Sequence, residues 1–316
     1  MKMSAIVAIK KCSNYDIDEV LKHIEWLYTQ ANGPDPKGKT ILVKPNITSD
    51  EEPSKAITTH PVVVEAVIKY LLENGALSII VGDSPTIDNR KFTGLKSGIR
   101  QVAEKCGAKW TRFNGPSVAR KIGNGTVKVT SLIEEVDLII NLPKLKTHEL
   151  MHYTGAMKNI FGLVPGFNKA IQHSRFPNKL KMADFFVDFE EVIKPHFHIL
   201  DGIIAMEGPG PGSGYPKNVN VIMASQNPLA LDLLACRIIG YNPELIPINK
   251  LALRRGHLIK SINDIQIKGP DSDTLKVKDF RKITSTGISG IILNFLKQKL
   301  PMLRSFDKRP VFLPNL

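Results

Sequence analysis

Short apolar runs alternate with amphipathic stretches along the chain, and several of the apolar runs end in polar residues. The apolar runs predict strands at 4–9, 40–43, 77–81 and 137–142, and the periodicity between them predicts helices at 16–30 and 61–74. Strands that alternate with helices at this spacing are typical of a parallel sheet. The pattern therefore predicts an α/β protein with a mostly parallel sheet and helices on both faces.

The second half of the chain continues the pattern less regularly. Further helices are predicted at 182–192, 229–239 and 245–255, and further strands at 197–200, 219–224 and 264–267. We expect one α/β core domain over residues 1–270, which could divide into two lobes near 175–195. Residues 271–316 add a basic tract and an apolar helix at 288–300, which is too short to span a bilayer. This helix is expected to dock on this domain or on a neighbour, and the alternative is a position on a membrane surface.

Polar side chains follow three of the predicted strands. They are Lys44 and Asn46 after the second strand, Asp83 and Ser84 after the third, and Asn141, Lys144, Lys146 and His148 at the fourth. The same stretch continues to residue 173 with Lys158, Asn159 and His173, between glycines that let backbone approach a ligand closely. Because the carboxyl ends of parallel strands meet at one edge of a sheet, we predict a ligand site there.

The residue types at this edge indicate the chemistry of the ligand. Lys44, Lys144, Lys146 and Lys158 predict recognition of a small molecule that carries a carboxylate or phosphate group. His148 is the candidate for proton transfer, since histidine titrates near neutrality. Asp83 and Glu207 are expected to orient the bound molecule or to act as ligands.

Composition narrows the class of partner. The net charge of +13 favours anionic partners, whereas an aromatic content of 7% and the lack of a known nucleic-acid-binding motif argue against nucleic acid. The widely spaced Cys12, Cys106 and Cys236 form neither a disulfide framework nor a metal set by themselves. No apolar run has the length of a transmembrane segment or the form of a signal peptide, so we expect a cytoplasmic protein.

Two features leave alternatives open. His196 and His198 project to one face of a predicted strand, but no third ligand is suitably spaced, so a structural pair is favoured over a metal site. Asp232 lies in an apolar helix, where a lone carboxylate is costly to bury. It is either ion-paired, for example to a site lysine, or on the polar stripe of its helix.

Several segments together resemble the uncharacterised domain-of-unknown-function family 362 (DUF362). They are Lys44-Pro45-Asn46, Thr59-His60-Pro61, Gly82-Asp83-Ser84-Pro85, the stretches 141–148 and 154–159, Asp201-Gly202-Ile203 with Glu207-Gly208, and the stretch 227–232. The resemblance runs from residue 4 to about residue 270. Asn227 stands where the family usually has aspartate.

The family resemblance implies a redox role. Many members continue, after an Arg-Pro-Val-like turn, into a bacterial ferredoxin module with a CxxCxxCxxxCP run, and this chain has Arg309-Pro310-Val311 near its end. We expect that the chain is truncated before such a module and that a four-iron four-sulfur cluster occurs only in a longer form. The first hypothesis is therefore an oxidoreductase core that acts on a small anion and is served by that module or by another electron-transfer partner.

A shorter stretch is similar to the catalytic subunit of the nickel-pincer lactate racemase. His148, Lys158, Pro165-Gly166 and His173 reproduce the order and approximate spacing of its histidines and of the lysine that tethers its cofactor. This similarity implies, as a second hypothesis, a racemase- or isomerase-like enzyme whose nickel cofactor is tethered to Lys158. A third hypothesis is a non-catalytic anion-binding or scaffold domain.

The candidate residues fall into two groups. The catalytic candidates are His148, Lys158 and Asp83. The anion-binding candidates are Lys44, Asn46, Ser84, Asn141, Lys144, Lys146, Asn159, His173 and Glu207.

Overall fold

The structure is a computed structural model that describes residues 5–84, 93–123, 125–166, 168–169, 172, 176, 178–256 and 259–283. The strands in this part are β1 (Ala5–Lys11), β2 (Thr40–Pro45), β3 (Ser78–Asp83), β4 (Lys109–Arg112), β5 (Ser117–Ile122), β6 (Gly125–Thr130), β7 (Leu138–Leu142), β8 (Lys144–His148), β9 (His152–Thr154), β10 (Phe197–Glu207), β11 (Tyr215–Ser225) and β12 (Ile265–Lys268). The α-helices are α1 (Ile17–Gln30), α2 (Pro61–Glu73), α3 (Ile99–Lys105), α4 (Leu132–Glu135), α5 (Ala156–Asn159), α6 (Lys179–Ile193), α7 (Pro228–Ile238) and α8 (Pro247–Arg255).

The central sheet has the strand order β12-β1-β11-β10-β7-β2-β3-β4. Neighbours along it are parallel, except that β11 runs antiparallel to both β1 and β10. The mostly parallel sheet predicted from the sequence is confirmed. The predicted strands at 197–200 and 219–224 are only the parts of β10 and β11 farthest from the turn of their hairpin. Glycine and polar residues closer to the turn interrupt the apolar signal.

Helices cover both faces of this sheet, as predicted. Helices α1, α2 and α3 pack on one face, against strand residues such as Ile41, Val43 and Ile79. Helices α5 to α8 pack on the other face, against residues such as Leu42 and Ile139. Because successive side chains of a strand point to opposite faces, one continuous apolar strand supplies both cores.

Side chains cap the starts of α1 and α2. The side chain of Asp16 accepts the N–H groups of Asp18 and Glu19 at 3.1 and 2.9 Å. His60 caps α2, with Pro61 as the first helical residue, and its Nδ1 accepts the N–H of Val62 at 3.3 Å. Both caps directly follow strand-end loops, so they bring Asp16 and His60 to the edge of the sheet that carries the carboxyl ends of β1 and β2.

Pro143 divides one long strand into β7 and β8. Its carbonyl accepts the N–H of Asp201 at 2.9 Å, so the strand stays attached to β10 across the proline. β7 pairs with β2 as far as Leu142, whereas β8 pairs with β10 and with β9. β8 and β9 are not predicted from the sequence, because lysine, threonine and histidine predominate there. Side chains from β8 and from the loop after β2 fill the space between these two strands.

The described residues after β12 pack on this core. The N–H of Val277 donates to the carbonyl of Ile238 at 2.9 Å, and Phe280 is buried. The predicted helix at 288–300 and Arg309-Pro310-Val311 lie outside the described residues, and the predicted boundary near residue 270 stays a prediction. No helix in the described part of the chain is long and apolar enough to cross a membrane.

Candidate functional site

Lys44, near the end of β2, lies at the centre of a buried polar cluster. Its side chain is fully buried, and its Nζ lies 3.0 Å from Asp83 Oδ1 and donates to the carbonyl of Pro45 at 2.6 Å. Asp83, at the end of β3, also accepts the backbone N–H groups of Ile47 at 2.6 Å and of Ser84 at 2.8 Å. An ion pair therefore joins the carboxyl ends of two neighbouring parallel strands.

Three buried asparagines connect these strand ends to α5. Asn159 donates from Nδ2 to Asn141 Oδ1 at 2.7 Å and accepts at Oδ1 from Asn46 Nδ2, also at 2.7 Å. Its Oδ1 lies 3.5 Å from Lys44 Nζ as well. Because both ends of the Asn159 amide are engaged, its orientation is fixed. The segment that carries Asn159 and Lys158 is thereby held against the ends of β2 and β7.

Lys146, on β8, is buried without a carboxylate partner among the residues that the structure describes. Its Nζ donates to Asn46 Oδ1 at 2.8 Å, to Thr48 Oγ1 at 2.7 Å and to the carbonyl of Ile57 at 2.8 Å. Three acceptors match the three N–H groups of an ammonium. Burial, followed by the charge of Lys158 and other neighbouring lysines, nevertheless holds the pKa of Lys146 well below the usual lysine value.

Lys144, also on β8, belongs to a buried network with Asp201 and Tyr15. Its Nζ lies 2.7 Å from Asp201 Oδ2 and 3.0 Å from the Tyr15 hydroxyl, which donates to Asp201 Oδ1 at 2.9 Å. The Tyr15 ring stacks on His60 with 3.5 Å between centroids, and the N–H of His60 donates to Asp201 Oδ2 at 2.9 Å. Burial lowers the pKa of His60 to about 4, so its imidazole is neutral at pH 7.

Lys158 and Lys169 complete the set of lysines. Lys158, on α5, is less buried than the others, and its Nζ lies 5.5 Å from the Phe186 ring centroid. Its amine has no hydrogen-bond partner within the described residues. Lys169 is buried and donates to the carbonyl of Ser84. We call Lys44, Lys144, Lys146, Lys158 and Lys169 the lysine cluster.

Positive charge exceeds negative charge in the lysine cluster. Among the residues that the structure describes, its five lysines are paired with two carboxylates, Asp83 and Asp201, so within this part of the chain three positive charges lack a carboxylate if every lysine is ionised. Burial, helped by the charge of Lys44, lowers the pKa of Lys158 to about 8 and that of Lys169 to about 7. Some of the amines in the lysine cluster are therefore partly neutral at pH 7.

Gly162 packs directly on the ion pair between Lys44 and Asp83. A Cβ at this position would overlap Asp83 Oδ1 and Lys44 Nζ. Gly155 has the same relationship to Asp232 Oδ1 and to the Tyr153 ring. Backbone therefore approaches protein side chains closely at two glycines of this stretch, whereas the expected approach to a ligand stays a prediction.

Asp232 holds the start of α5. Its Oδ1 accepts the N–H of Ala156 at 2.7 Å and its Oδ2 that of Met157 at 3.1 Å, while the Tyr153 hydroxyl donates to Oδ1 at 3.2 Å. The side chain is buried, and within the described residues it forms no ion pair with a lysine. Neither interpretation drawn from the sequence is right: Asp232 is a buried hydrogen-bond acceptor that positions the residues before Lys158.

Most of the candidates that the structure describes lie in or beside the lysine cluster, but the described contacts of two of them lie elsewhere. His148 Nδ1 accepts the N–H groups of Leu150 at 3.1 Å and Met151 at 3.3 Å, so this ring shapes the turn between β8 and β9. Glu207 accepts the N–H of Arg281 at 2.8 Å and fastens the chain after β12 to the end of β10. His173 lies outside the described residues. Proton transfer by His148 stays a prediction.

The two histidines at the start of β10, His196 just before the strand and His198 within it, make separate contacts. His196 Nδ1 accepts the N–H of Ile139 at 3.0 Å, and His198 Nδ1 lies 3.0 Å from Asn141 Nδ2. Asn141 Oδ1 already accepts from Asn159, so its Nδ2 is the donor to His198. Burial lowers the pKa of His198 to about 3, which keeps this acceptor neutral. Both histidines have structural contacts, as the favoured interpretation expects.

Sequence reasoning does not find Tyr15, Lys169 or Asp201 as site residues. Asp201 begins one of the family segments, which is a signal that could have been used. Tyr15 and Lys169 offer no such signal, because one precedes α1 and the other lies within a stretch with several basic residues. Their proximity to the site arises only from the tertiary fold.

A match to a family model agrees with the resemblance found in the sequence. The family model described as Domain of unknown function (DUF362) matches residues 41–237, which include the strand-end clusters and α5. This chain belongs to the DUF362 family. The departure at Asn227 is structurally neutral, because Asn227 caps α7 by accepting the N–H of Ala230 at 2.9 Å, a role that asparagine and aspartate share.

A similar protein occurs in Synechocystis sp.. The thylakoid-associated protein sll1697 of Synechocystis sp. is 29% identical to this DUF362 protein over 246 residues, which make up 76% of each chain. The cytoplasmic location expected from the sequence stays a prediction.

Two solved structures are more distant. A crystal structure of a Thermotoga maritima protein has a TM-score of 0.43 and 13% identity, with 78% of this chain and 60% of that chain covered. The lactate racemase apoprotein from Thermoanaerobacterium thermosaccharolyticum has a TM-score of 0.45 and 12% identity, with 71% of this chain and 54% of that chain covered. The DUF362 chain thus spans little more than half the length of either structure, and likenesses of this degree do not bear on its function.

Proposed function

We propose that this DUF362 protein is an enzyme core that binds a small carboxylate- or phosphate-bearing molecule in the lysine cluster. The observation that supports the proposal is that buried and half-buried lysines outnumber the carboxylates around them among the described residues. Burying an ammonium without a counter-charge is unfavourable by several kcal/mol. An anion that enters the cluster offsets this cost, because it supplies the missing charge and accepts the available N–H groups.

Lys158 is the lysine whose amine is available for proton transfer or nucleophilic attack. The other four lysines donate hydrogen bonds to fixed protein acceptors, whereas Lys158 lacks such a partner among the described residues. With a pKa of about 8, roughly a tenth of its amine is neutral at pH 7. A neutral amine beside a bound anion can act as a general base or attack a carbonyl group.

Calorimetric titration of the full chain with inorganic phosphate, and separately with oxalate, tests the binding site. We expect saturable binding that weakens by about tenfold or more in Lys158→Met. The matched control is Lys105→Met, since the Lys105 side chain is 74% exposed and distant in sequence from the lysine cluster. Absence of binding for both anions, or equal affinities for the two variants, would overturn the proposal.

The redox part of the hypothesis rests on the family resemblance and has its own test. Iron and sulfide are measured on the complete gene product, purified without air from its native host. About four of each per chain, as one four-iron cluster requires, supports an iron–sulfur-linked oxidoreductase. If the full-length protein contains no iron, the electron-transfer hypothesis is rejected, whereas the proposal of anion binding is unaffected.

The nickel-cofactor alternative is favoured by the same free amine. Lys158 fits a tether, because the described residues offer its amine no hydrogen bond. Such a cofactor would supply a metal centre for hydride or proton exchange on the bound substrate, while the other lysines would orient the anion. An intact mass without an adduct at Lys158, in protein made by the native host, would count strongly against this alternative.

A further inference from the structure

A second group of side chains with possible ligand chemistry lies at the start of α1, outside the lysine cluster. Cys12 directly follows β1, and Glu19 and His23 lie four residues apart on α1, where side chains share one face. The Cys12 thiol, a Glu19 carboxylate oxygen and a His23 ring nitrogen all lie within 4.8 Å of one another. These three ligand types are the ones that zinc binds in proteins.

The separation of the two ligand atoms on α1 fits a metal better than a hydrogen bond. His23 Nε2 lies 3.4 Å from Glu19 Oε1, yet this buried nitrogen has no hydrogen-bond partner within the described residues. In a tetrahedral site with bonds of about 2.0–2.3 Å, neighbouring ligand atoms are about 3.3–3.8 Å apart. The distance between Oε1 and Nε2 is that of one edge of such a tetrahedron.

The surroundings of Cys12 favour a cation. Asn14 donates from Nδ2 to Glu19 Oε2 at 3.2 Å, which orients the carboxylate and leaves Oε1 for a metal. The Cys12 thiol donates to the carbonyl of Asn14 at 3.3 Å, and the carboxylates of Glu19, Asp201 and Asp16 place negative charge near the sulfur. The same negative charges stabilise a divalent cation at the sulfur, which would then displace the thiol proton.

We propose that Cys12, Glu19 and His23 bind a thiophilic divalent cation, with zinc the best match and water as the fourth ligand. On binding, the Cys12 thiol releases its proton to solvent and the thiolate coordinates the metal. Three protein ligands and one water form an open site of the kind that zinc enzymes use. Tyr15, which contacts Lys144 and Asp201, lies three residues after Cys12 in the chain, and the proposed metal site shares no ligand with the lysine cluster.

Cobalt is the probe for this site, because a cobalt–thiolate bond has a charge-transfer absorption in the near ultraviolet. The full chain is freed of metal by dialysis against a chelator and titrated with Co²⁺, and bound Co²⁺ is then displaced with Zn²⁺. We expect one equivalent of Co²⁺ to give the charge-transfer band and one equivalent of Zn²⁺ to abolish it. A titration without a saturable band would overturn the proposal.

Variants of the full chain assign the ligands. Cys12→Ser should abolish the band, and His23→Gln should weaken Co²⁺ binding by more than about a hundredfold, since changes outside the first coordination sphere alone cost up to that much. Cys106→Ser and Lys22→Gln are the controls and should bind as the wild type does. His23→Gln alters a half-buried side chain on α1, whereas Cys12 is buried, so His23→Gln tests the site even if Cys12→Ser does not fold. A band that persists in Cys12→Ser, or unchanged affinity in His23→Gln, would refute this assignment.

Discussion

Asp232 accepts the backbone N–H of Ala156 at 2.7 Å and thereby fixes the first residue of the helix that carries Lys158. The carboxylate is buried and receives its hydrogen bonds from Ala156, Met157 and Tyr153. Its role resembles an N-cap, except that the acceptor comes from α7, which is distant in sequence. The position of Lys158 in the proposed anion site therefore depends on a residue that need not touch the ligand.

Asp232→Asn should destabilise the protein, because an amide N–H₂ would face a backbone N–H donor. We expect a loss of about 1–3 kcal/mol in the free energy of unfolding at pH 4. Burial raises the pKa of Asp232 to about 7 from 3.8, so the folded wild type disfavours the ionised form and loses stability as the pH rises from 4 to 7. The asparagine does not titrate, so the deficit of the variant should shrink over that range in urea unfolding curves. A deficit that grows with pH would contradict this account.

The positions of Asp232 and Lys44 illustrate how far sequence reasoning reaches. Lys44, Asp83 and Asn141 each directly follow or end a strong apolar run, and parallel strands have only one carboxyl edge, so their convergence could be predicted. The hydrogen-bond partners of Asp232 could not be predicted, because Asp232 accepts from α5 only when α7 packs against that helix. Periodicity identifies a helix and its apolar side but does not identify the group opposite a buried polar atom.

His148 and Lys169 mark the same limit within the site. His148 occurs in a family segment beside Lys144 and Lys146, yet its Nδ1 is occupied by two backbone N–H groups of the following turn. Lys169 lies in a stretch without strong periodicity and still reaches the end of β3. Local pattern specifies the elements, whereas side-chain partners across the sheet edge are set by long-range contacts.

Lys158 should be the lysine that reacts with an aldehyde that also carries a phosphate. We expect pyridoxal 5′-phosphate to form an imine with Lys158, with loss of water, and borohydride to reduce it to a stable secondary amine. With a pKa of about 8, its neutral fraction at pH 7 exceeds that of an ordinary lysine by a factor on the order of a hundred. Labelling should rise about fivefold from pH 7 to pH 8, as followed by intact mass and peptide mapping.

Lys158→Arg is the informative variant for this labelling. Arginine keeps the positive charge but has no nucleophilic amine at these pH values, so phosphate should still bind while labelling is lost. Preferential labelling of an exposed lysine such as Lys105, or labelling at Lys158 that does not depend on pH, would refute the assigned reactivity.

The ion pair between Lys144 and Asp201 should show strong coupling in a double-mutant cycle. Asp201→Asn leaves the buried Lys144 without a counter-charge, and we expect it to cost about 3–5 kcal/mol in the free energy of unfolding. Lys144→Met should cost a similar amount, and the double variant clearly less than the sum of the two. Denaturant unfolding of the four proteins gives the coupling directly. Additive costs would mean that Tyr15 and His60, and not Lys144, account for the contribution of Asp201.

Gly162→Ala should disrupt the ion pair between Lys44 and Asp83, because the added methyl group would occupy the space of both charged groups. We expect a loss of about 1–3 kcal/mol in the free energy of unfolding, typical of overpacking, together with weaker phosphate binding. The matched control is Gly115→Ala, since a Cβ at residue 115 has no atom within 4 Å and its backbone is not left-handed. That variant should be neutral or slightly stabilising. If the two alanine variants unfold alike and bind phosphate alike, the contact of Gly162 with the ion pair has no energetic role, and the anion site does not depend on the pairing of Lys44 with Asp83.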